Sequence, residues 1–334
     1  MKAAVLEKYQ KQGGELTIQE LPIPQIAAQE TLVKIHTAGV NPVDNMIIKG
    51  EVKLIVPYQT PVVMGNEFVG VIEQVGAQVS QFAVGDRVYG RMPLNKIGVF
   101  AEYATINEEA LAKVPDYLSD EEAAGVPLTA LTAKQAFDLL QPKAGETIFI
   151  SGGTGSFGAM AIPLAKQLGL TVITNGSPAN RERVLALGVD QFIDYHHQDF
   201  ADVLSDVDMV IDTLGENALA KEFKILKPGG KLVTLRGLPN GAFAKRAGLP
   251  WFKRFLFKLA GLKYDRLAAR KQQSYDFLFV HEDGPGLTRV SKILADRQVK
   301  PVVETVYPLD EVNQALQKIA AGKAKGKTIL KVSE

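Results

Sequence analysis

The sequence predicts an α/β protein of two domains: a β-rich domain made from both chain ends, and a doubly wound parallel-sheet domain inserted between them. Three observations carry this. The first third alternates short apolar runs with Gly, Pro and Asp, as strands and turns do. The middle alternates apolar strands with helical patterns, which implies a parallel sheet covered by helices on both faces. The chain has 334 residues, room for two domains at roughly 100–200 residues each.

In chain order, Thr31–His36 and Val69–Val75 read as strands, and the glycines at 65, 70, 76, 85 and 90 suit the tight corners of a small barrel. Six buried strands follow: Thr147–Ser151, Thr171–Thr174, Phe192–Tyr195, Met209–Thr213, Lys231–Leu235 and Phe277–Val280. After the first of them, Phe157, Ala161, Leu164, Ala165 and Leu168 share one helical face, with a kink expected at Pro163. Leu309–Ala321 reads as a helix stopped by Gly322, and Thr328–Val332 as a closing strand. The expected boundaries are 1–128 with 283–334 for the first domain and 129–282 for the second.

Composition narrows the function. Lys plus Arg number 38 against 37 Asp plus Glu, a net charge of +1, so a chain built mainly to bind nucleic acid is not expected. Cysteine is absent, which excludes disulfides, thiolate metal sites and a cysteine nucleophile, and fits a reduced, cytoplasmic setting. The N-terminal residues Met1–Glu7 do not read as a signal peptide, and no apolar run is long enough to span a bilayer.

The strongest local motif is Ile148–Gly158, in which Gly153, Gly155 and Gly158 form G-x-G-x-x-G between a predicted strand and a predicted helix. In such a loop the first glycine permits a tight turn, the second lets the backbone approach a pyrophosphate, and the third lets helix and strand pack closely. The helix N-terminus then offers free N–H groups to the anion. In NAD-binding loops an acid near the end of the second strand binds the ribose 2′-hydroxyl. Here Thr174–Arg181 holds no acid; Ser177 offers a hydroxyl, and Arg181, with Arg183 as a second candidate, offers a fork suited to a 2′-phosphate. NADPH is the expected cofactor.

Further segments line up in order: Ala38–Asp44 (AGVNPVD), Gly65–Gly70 (GNEFVG), Gly85–Gly90 (GDRVYG), Pro127–Ala130 (PLTA), Leu187–Asp190 (LGVD), Leu226–Lys231 (LKPGGK) and Gly322–Lys327 (GKAKGK). The ordered set resembles the medium-chain dehydrogenase/reductase superfamily, specifically its zinc-free quinone oxidoreductase-like branch. The resemblance implies a GroES-like catalytic domain, a Rossmann domain, and a cleft where nicotinamide meets substrate. It places Asn41 and Thr129 beside the nicotinamide. Asp44 matches a recurrent acid that orders its loop, and Ser156 and Phe157 match pyrophosphate contacts. Tyr195 is placed near the adenine, with Leu214, Phe279 and Val280 near ribose and nicotinamide. Asn41 is also a turn residue before Pro42, and Thr129 also suits an N-cap. A homodimer is implied.

No metal is expected. The zinc-dependent branch has an early Cys and a Gly-His-Glu, whereas here Cys is absent and Asn66 stands for the His. Without a Lewis acid to hold an alkoxide, an electron-poor acceptor is expected: a quinone, or an α,β-unsaturated carbonyl. The chain also departs from relatives that follow the Asn-x-x-Asp motif with Arg and then Tyr. Ile48 stands at the Arg, with Lys49 next to it, and Glu51-Val52-Lys53 carries no aromatic, with Tyr58 further on. That weakens an acyl-thioester reductase reading. A non-catalytic NADPH-binding sensor is the alternative from a different class.

Phe243–Gln272 stands apart. Nine Lys and Arg against Asp265 give it +8, leaving −7 for the rest of the chain. Trp251, Phe252, Phe255, Leu256, Leu259 and Leu262 interleave with the charges at helical spacings. Three readings stay open: a helical excursion packed on its own domain, a lid over substrate, or an interfacial helix on anionic lipid, with single-stranded RNA as a further ligand of the same charge.

Overall fold

The computed structural model describes residues 1–322 and 325–333, so Lys323 and Ala324 of the closing GKAKGK motif lie outside the described residues. The chain divides into two compact units, residues 1–131 with 281–334, and residues 132–280.

The first unit is built on a seven-stranded sheet whose centre is the long strand Glu30–Val40. That strand pairs antiparallel with Glu67–Val75, with Tyr103–Asn107 and with Lys327–Lys331, so the two chain ends meet in one sheet. Its apolar residues Leu32, Val33, Ile35, Ala38 and Val40 are buried, which is what anchors the register. Gly70 explains one close crossing: a Cβ there would collide with the Lys34 carbonyl across the strand pair. A second, three-stranded sheet joins Lys2–Leu6 to Thr17–Glu20 and Val62–Val63.

The second unit is a six-stranded sheet in the order Gln191–Asp194, Thr171–Gly176, Thr147–Ile150, Val207–Asp212, Leu226–Thr234, Ser274–Phe277. Every pairing in it is parallel. Numbered along the chain, the order is 3-2-1-4-5-6, the doubly wound arrangement whose strand order reverses between the first and fourth strands. The core beneath it gathers Phe149, Ile193, Phe200, Val210, Leu219, Phe223 and Tyr275. The helix after the first strand, Ser156–Gln167, runs on through Pro163.

The last strand corrects the sequence reading. It spans Ser274–Phe277 rather than Phe277–Val280. Tyr275 and Phe277 point inward at alternate positions, while Leu278–Val280 run half-buried beyond the strand. The apolar run continues past the end of the ladder, and the run alone does not mark where pairing stops.

The basic segment forms two helices, Gly241–Arg246 and Trp251–Ala269. Asn240 caps the first by accepting from Phe243 N, and Pro250 precedes the second. The long helix packs through Phe257, Gly261, Tyr264 and Ala268. Phe243 meets Phe257 and Phe277 edge-on, at 6.0 and 5.0 Å between ring centres. The apolar residues that stood out in the sequence are on the other side: Trp251, Phe252, Phe255, Leu256 and Leu259 are all exposed.

Candidate functional site

In the second unit the strand ends explain the loop geometry. Thr174 donates to Ile150 O at 2.7 Å and accepts from Gly153 N at 3.0 Å, and Asn175 Oδ1 accepts from Gly152 N at 2.8 Å. The second strand therefore holds the loop of the first. The three motif glycines do three different things. A Cβ on Gly153 would collide with the Thr174 hydroxyl, and one on Gly158 with the Gly153 carbonyl. Gly155 is exposed, and a Cβ there would meet nothing nearer than Gly152 O at 3.7 Å. Its backbone is thus open to a ligand. Ser156 and Phe157 begin the helix, which has no side-chain cap among the described residues, so its first N–H groups are left for a ligand.

The other residues named from the sequence collect at the carboxyl ends of the same sheet, where doubly wound folds bind ligands. Leu214 follows the fourth strand and lies over Gly152, its Cδ2 being 3.2 Å from where a Gly152 Cβ would stand. Phe279 and Val280 follow the sixth strand. Tyr195 follows the third, is 54% exposed, and lines a concavity of about 390 Å³ with Asn175, His196 and Lys221. Ser177 follows the second strand, and Arg181 begins the next helix, exposed and with its guanidinium unpaired among the described residues. Arg183 folds back instead: its guanidinium donates to the Thr154 carbonyl of the phosphate loop, and its Nε is buried without a partner among the described residues.

Beneath this loop, buried Asp212 accepts from Leu214 N, Gly215 N and the Thr234 hydroxyl at 2.5–2.8 Å. The neighbouring Glu222 is buried beside Asp212 and Ser151, and burial first, then the Asp212 charge, raises its pKa well above the carboxylate range.

In the first unit Asn41 ends the central strand and precedes the helix Pro42–Lys49. Its amide nitrogen donates to Glu67 Oε1 at 2.7 Å, and its amide oxygen accepts from Lys327 Nζ at 3.0 Å. Lys327 also reaches Glu67 Oε1 at 2.6 Å, and Glu67 Oε2 accepts from Leu128 N at 2.8 Å. Asp44 accepts from Asn41 N and from Asn66 Nδ2, both at 2.7 Å. Asp44 thereby closes the turn that Asn41 begins. It is fully buried, and burial first, then the Glu67 charge, push its pKa up to about 7 against its two hydrogen bonds and the Lys327 ammonium.

Thr129 sits one residue beyond Leu128, inside the first turn of the helix Pro127–Leu140. It is not the N-cap. Its hydroxyl donates to the carbonyls of Gly125 and Val126, each at 3.0 Å, which leaves its lone pairs to accept. Tyr58, the remaining aromatic candidate, is 8% exposed and burial pushes its phenol up to about 12.

Glu67, Lys327 and Arg91 carry no role in the sequence analysis. Arg91 is 1% exposed, with its Nε unpartnered among the described residues. Glu67 and Lys327 each stand in a quoted motif, GNEFVG and GKAKGK, but neither motif gives them a role in this cluster; only the sheet brings Lys327 to residues almost three hundred positions away in sequence.

The donor set does not suit zinc. An ammonium fills the space between Asn41 and Glu67 and takes the Asn41 amide oxygen. Asn66 Oδ1, buried and without a hydrogen-bond partner among the described residues, is then one oxygen where a catalytic zinc needs three protein ligands. Among the described residues no group of three or more His, Cys, Asp and Glu is arranged to hold a metal ion.

Comparison with known proteins agrees with this architecture. Residues 27–116 match the alcohol dehydrogenase GroES-like domain family, and residues 187–330 a family described as zinc-binding dehydrogenase. The chain is 30% identical over 318 residues to 2-methylene-furan-3-one reductase of Solanum lycopersicum, covering 92% of this chain and 73% of that one. It is 28% identical over 343 residues to NADPH-dependent alkenal/one oxidoreductase of Arabidopsis thaliana, covering 99% and 79%. The solved quinone oxidoreductase from Coxiella burnetii superposes with a TM-score of 0.83 at 27% identity, covering 100% of this chain and 99% of that one.

Proposed function

Because the chain belongs to the medium-chain dehydrogenase/reductase superfamily, in its quinone oxidoreductase-like branch, we propose that it is an NADPH-dependent reductase that passes hydride to a quinone without zinc. A nicotinamide cofactor is supported by its relatives. The observation that carries the choice of NADPH is the end of the second strand. Asn175–Arg181 holds no acid, and two guanidinium groups, Arg181 and Arg183, follow it, one exposed and one turned to the phosphate loop. A 2′-phosphate matches them as an anion matches a cationic fork.

In this reading a bound nicotinamide supplies the hydride from its C4 position. The chain binds and orients. The Gly155 backbone and the N–H groups of Ser156 and Phe157 take the pyrophosphate. Thr129, its proton committed to two carbonyls, accepts from a carboxamide. Asn41 is held in one orientation by Glu67 and Lys327, and Asp44 fixes its backbone. The proton that completes reduction comes from solvent. Activated alkenals and enones form the second acceptor class, supported by the names of the tomato and Arabidopsis relatives. The same reading makes the protein a cytoplasmic homodimer.

The test is a fluorescence titration with NADPH and NADH, followed by turnover on the same sample with a small quinone and a short enal. Micromolar NADPH binding, weaker NADH binding and consumption with either acceptor support the proposal. Equal binding of both cofactors contradicts the 2′-phosphate assignment, and binding without turnover contradicts the reductase.

A further inference from the structure

The long helix Trp251–Ala269 leaves an apolar face unpartnered. At about 3.6 residues per turn, Phe252, Phe255 and Leu259 lie opposite the packed residues Phe257, Gly261, Tyr264 and Ala268, and Trp251 and Leu256 lie at the margins of that outer face. These five side chains are 48–80% exposed. Ordinary surface helices put charge there and apolar residues inward. Here apolar residues occupy both sides of the first half of the helix.

The charges around this strip have one sign. Lys258 and Lys263 flank it, and Arg266 and Arg270 continue the outer face toward the C-terminus. None of these four makes an ion pair among the described residues. Residues 243–272 carry nine cations and one acid, +8, while the remainder of the chain carries −7. Beside the helix, Lys245, Arg254 and Lys258 line a concavity of about 420 Å³ together with Gly241, Phe255 and one acid, Asp265, which is hydrogen-bonded to Asn240. A recess of net positive charge thus opens next to exposed aromatics.

We propose that this helix docks the protein on an anionic lipid bilayer, its outer face lying in the plane of the interface. Phe252, Phe255 and Leu259 enter the acyl boundary, and the flanking cations meet lipid phosphates, as amphipathic interfacial helices do. No helix among the described residues is long and apolar enough to cross a membrane, so the contact is peripheral. Charge chooses this occupant over a second copy of the chain, because a two-fold interface through this face would set Lys258, Lys263, Arg266 and Arg270 of one copy against the same cations of the other. Trp251, Phe252 and Phe255 would serve a base or an acyl chain alike, so the choice against single-stranded nucleic acid rests on Leu256 and Leu259, which extend the strip and give a base nothing to stack on. The separation of +8 from −7 also turns this face toward a negative surface before contact. The inference stands apart from the redox reading and does not rest on it.

Trp251 is the only tryptophan, so the full-length protein reports on the contact itself. Its emission is followed while phosphatidylcholine vesicles, with or without phosphatidylserine, are added, and co-sedimentation is run in parallel. The expected result is a blue shift with the anionic vesicles, partitioning at least about tenfold stronger than to neutral ones, and reversal by salt. The exposed-face variant Phe252→Ser/Phe255→Ser/Leu259→Ser and the charge variant Lys258→Glu/Lys263→Glu/Arg266→Glu each abolish binding while circular dichroism stays native. Equal partitioning to neutral and anionic vesicles, or none to either, overturns the proposal. So does a blue shift that grows with protein concentration without lipid, which makes the face a self-interface, or capture of single-stranded RNA that vesicles fail to displace.

Discussion

Lys327 Nζ lies 2.6 Å from Glu67 Oε1, and the two side chains are 4% and 0% exposed. A buried ion pair of this kind costs desolvation on both sides, and its removal from one side leaves a bare charge in the interior. Lys327→Met is expected to destabilise the protein by about 3–5 kcal/mol. The double variant Lys327→Met/Glu67→Gln loses much less, because neither charge remains. Urea unfolding of the two variants and the parent checks this. Equal losses would mean that the pair does not carry the energy.

Asp44 makes a pH prediction. Its pKa is raised from 3.8 to about 7 in the folded protein, so between those values the folded state holds a proton that the unfolded chain has released. This contribution is fully present below about pH 4 and is lost as pH rises through 7. Three units correspond to at most roughly 4 kcal/mol. The stability difference between the parent and Asp44→Asn should therefore shift in favour of the variant from pH 5 to pH 8. A difference flat across that range would show that Asp44 is ionised throughout.

Gly158→Ala tests the loop. The added methyl meets the Gly153 carbonyl, and overpacking at such a contact costs about 1–3 kcal/mol. Relief by moving the loop carries Gly155 away from its open position. NADPH affinity is expected to fall by at least about tenfold, more than the modest loss of thermal stability would suggest. Unchanged cofactor titration would contradict the pyrophosphate assignment.

The two arginines separate by their surroundings. Arg181→Ala removes an exposed cation, whereas Arg183→Ala also frees the Thr154 carbonyl. Each is expected to weaken NADPH by about tenfold, the worth of one charge-assisted hydrogen bond, with NADH unchanged. If Arg183→Ala weakens both cofactors equally, its role is to hold the loop rather than to read the phosphate.

Much of the second unit was legible because its strands are short apolar runs bounded by glycine and because its loop glycines are spaced along the chain itself. The last strand was misread where Leu278–Val280 stay apolar after pairing has ended at Phe277. In the basic helix, apolar residues on both sides left periodicity unable to say which face packs; Phe257 and Tyr264 take the inside, and Trp251 and Phe255 do not. The Asn41 cluster was half legible. Asn41 and Asp44 share one turn, but Lys327 reaches them only through the pairing of the closing strand with Glu30–Val40.

The most direct test of hydride transfer without zinc is NADPH oxidation by chelator-dialysed protein, followed at the nicotinamide absorbance with a quinone and an enal as acceptors. Steady consumption with at least one acceptor, slower with NADH and undiminished by chelation, is the predicted result. No consumption with either, or activity lost on chelation and restored by zinc, would contradict it.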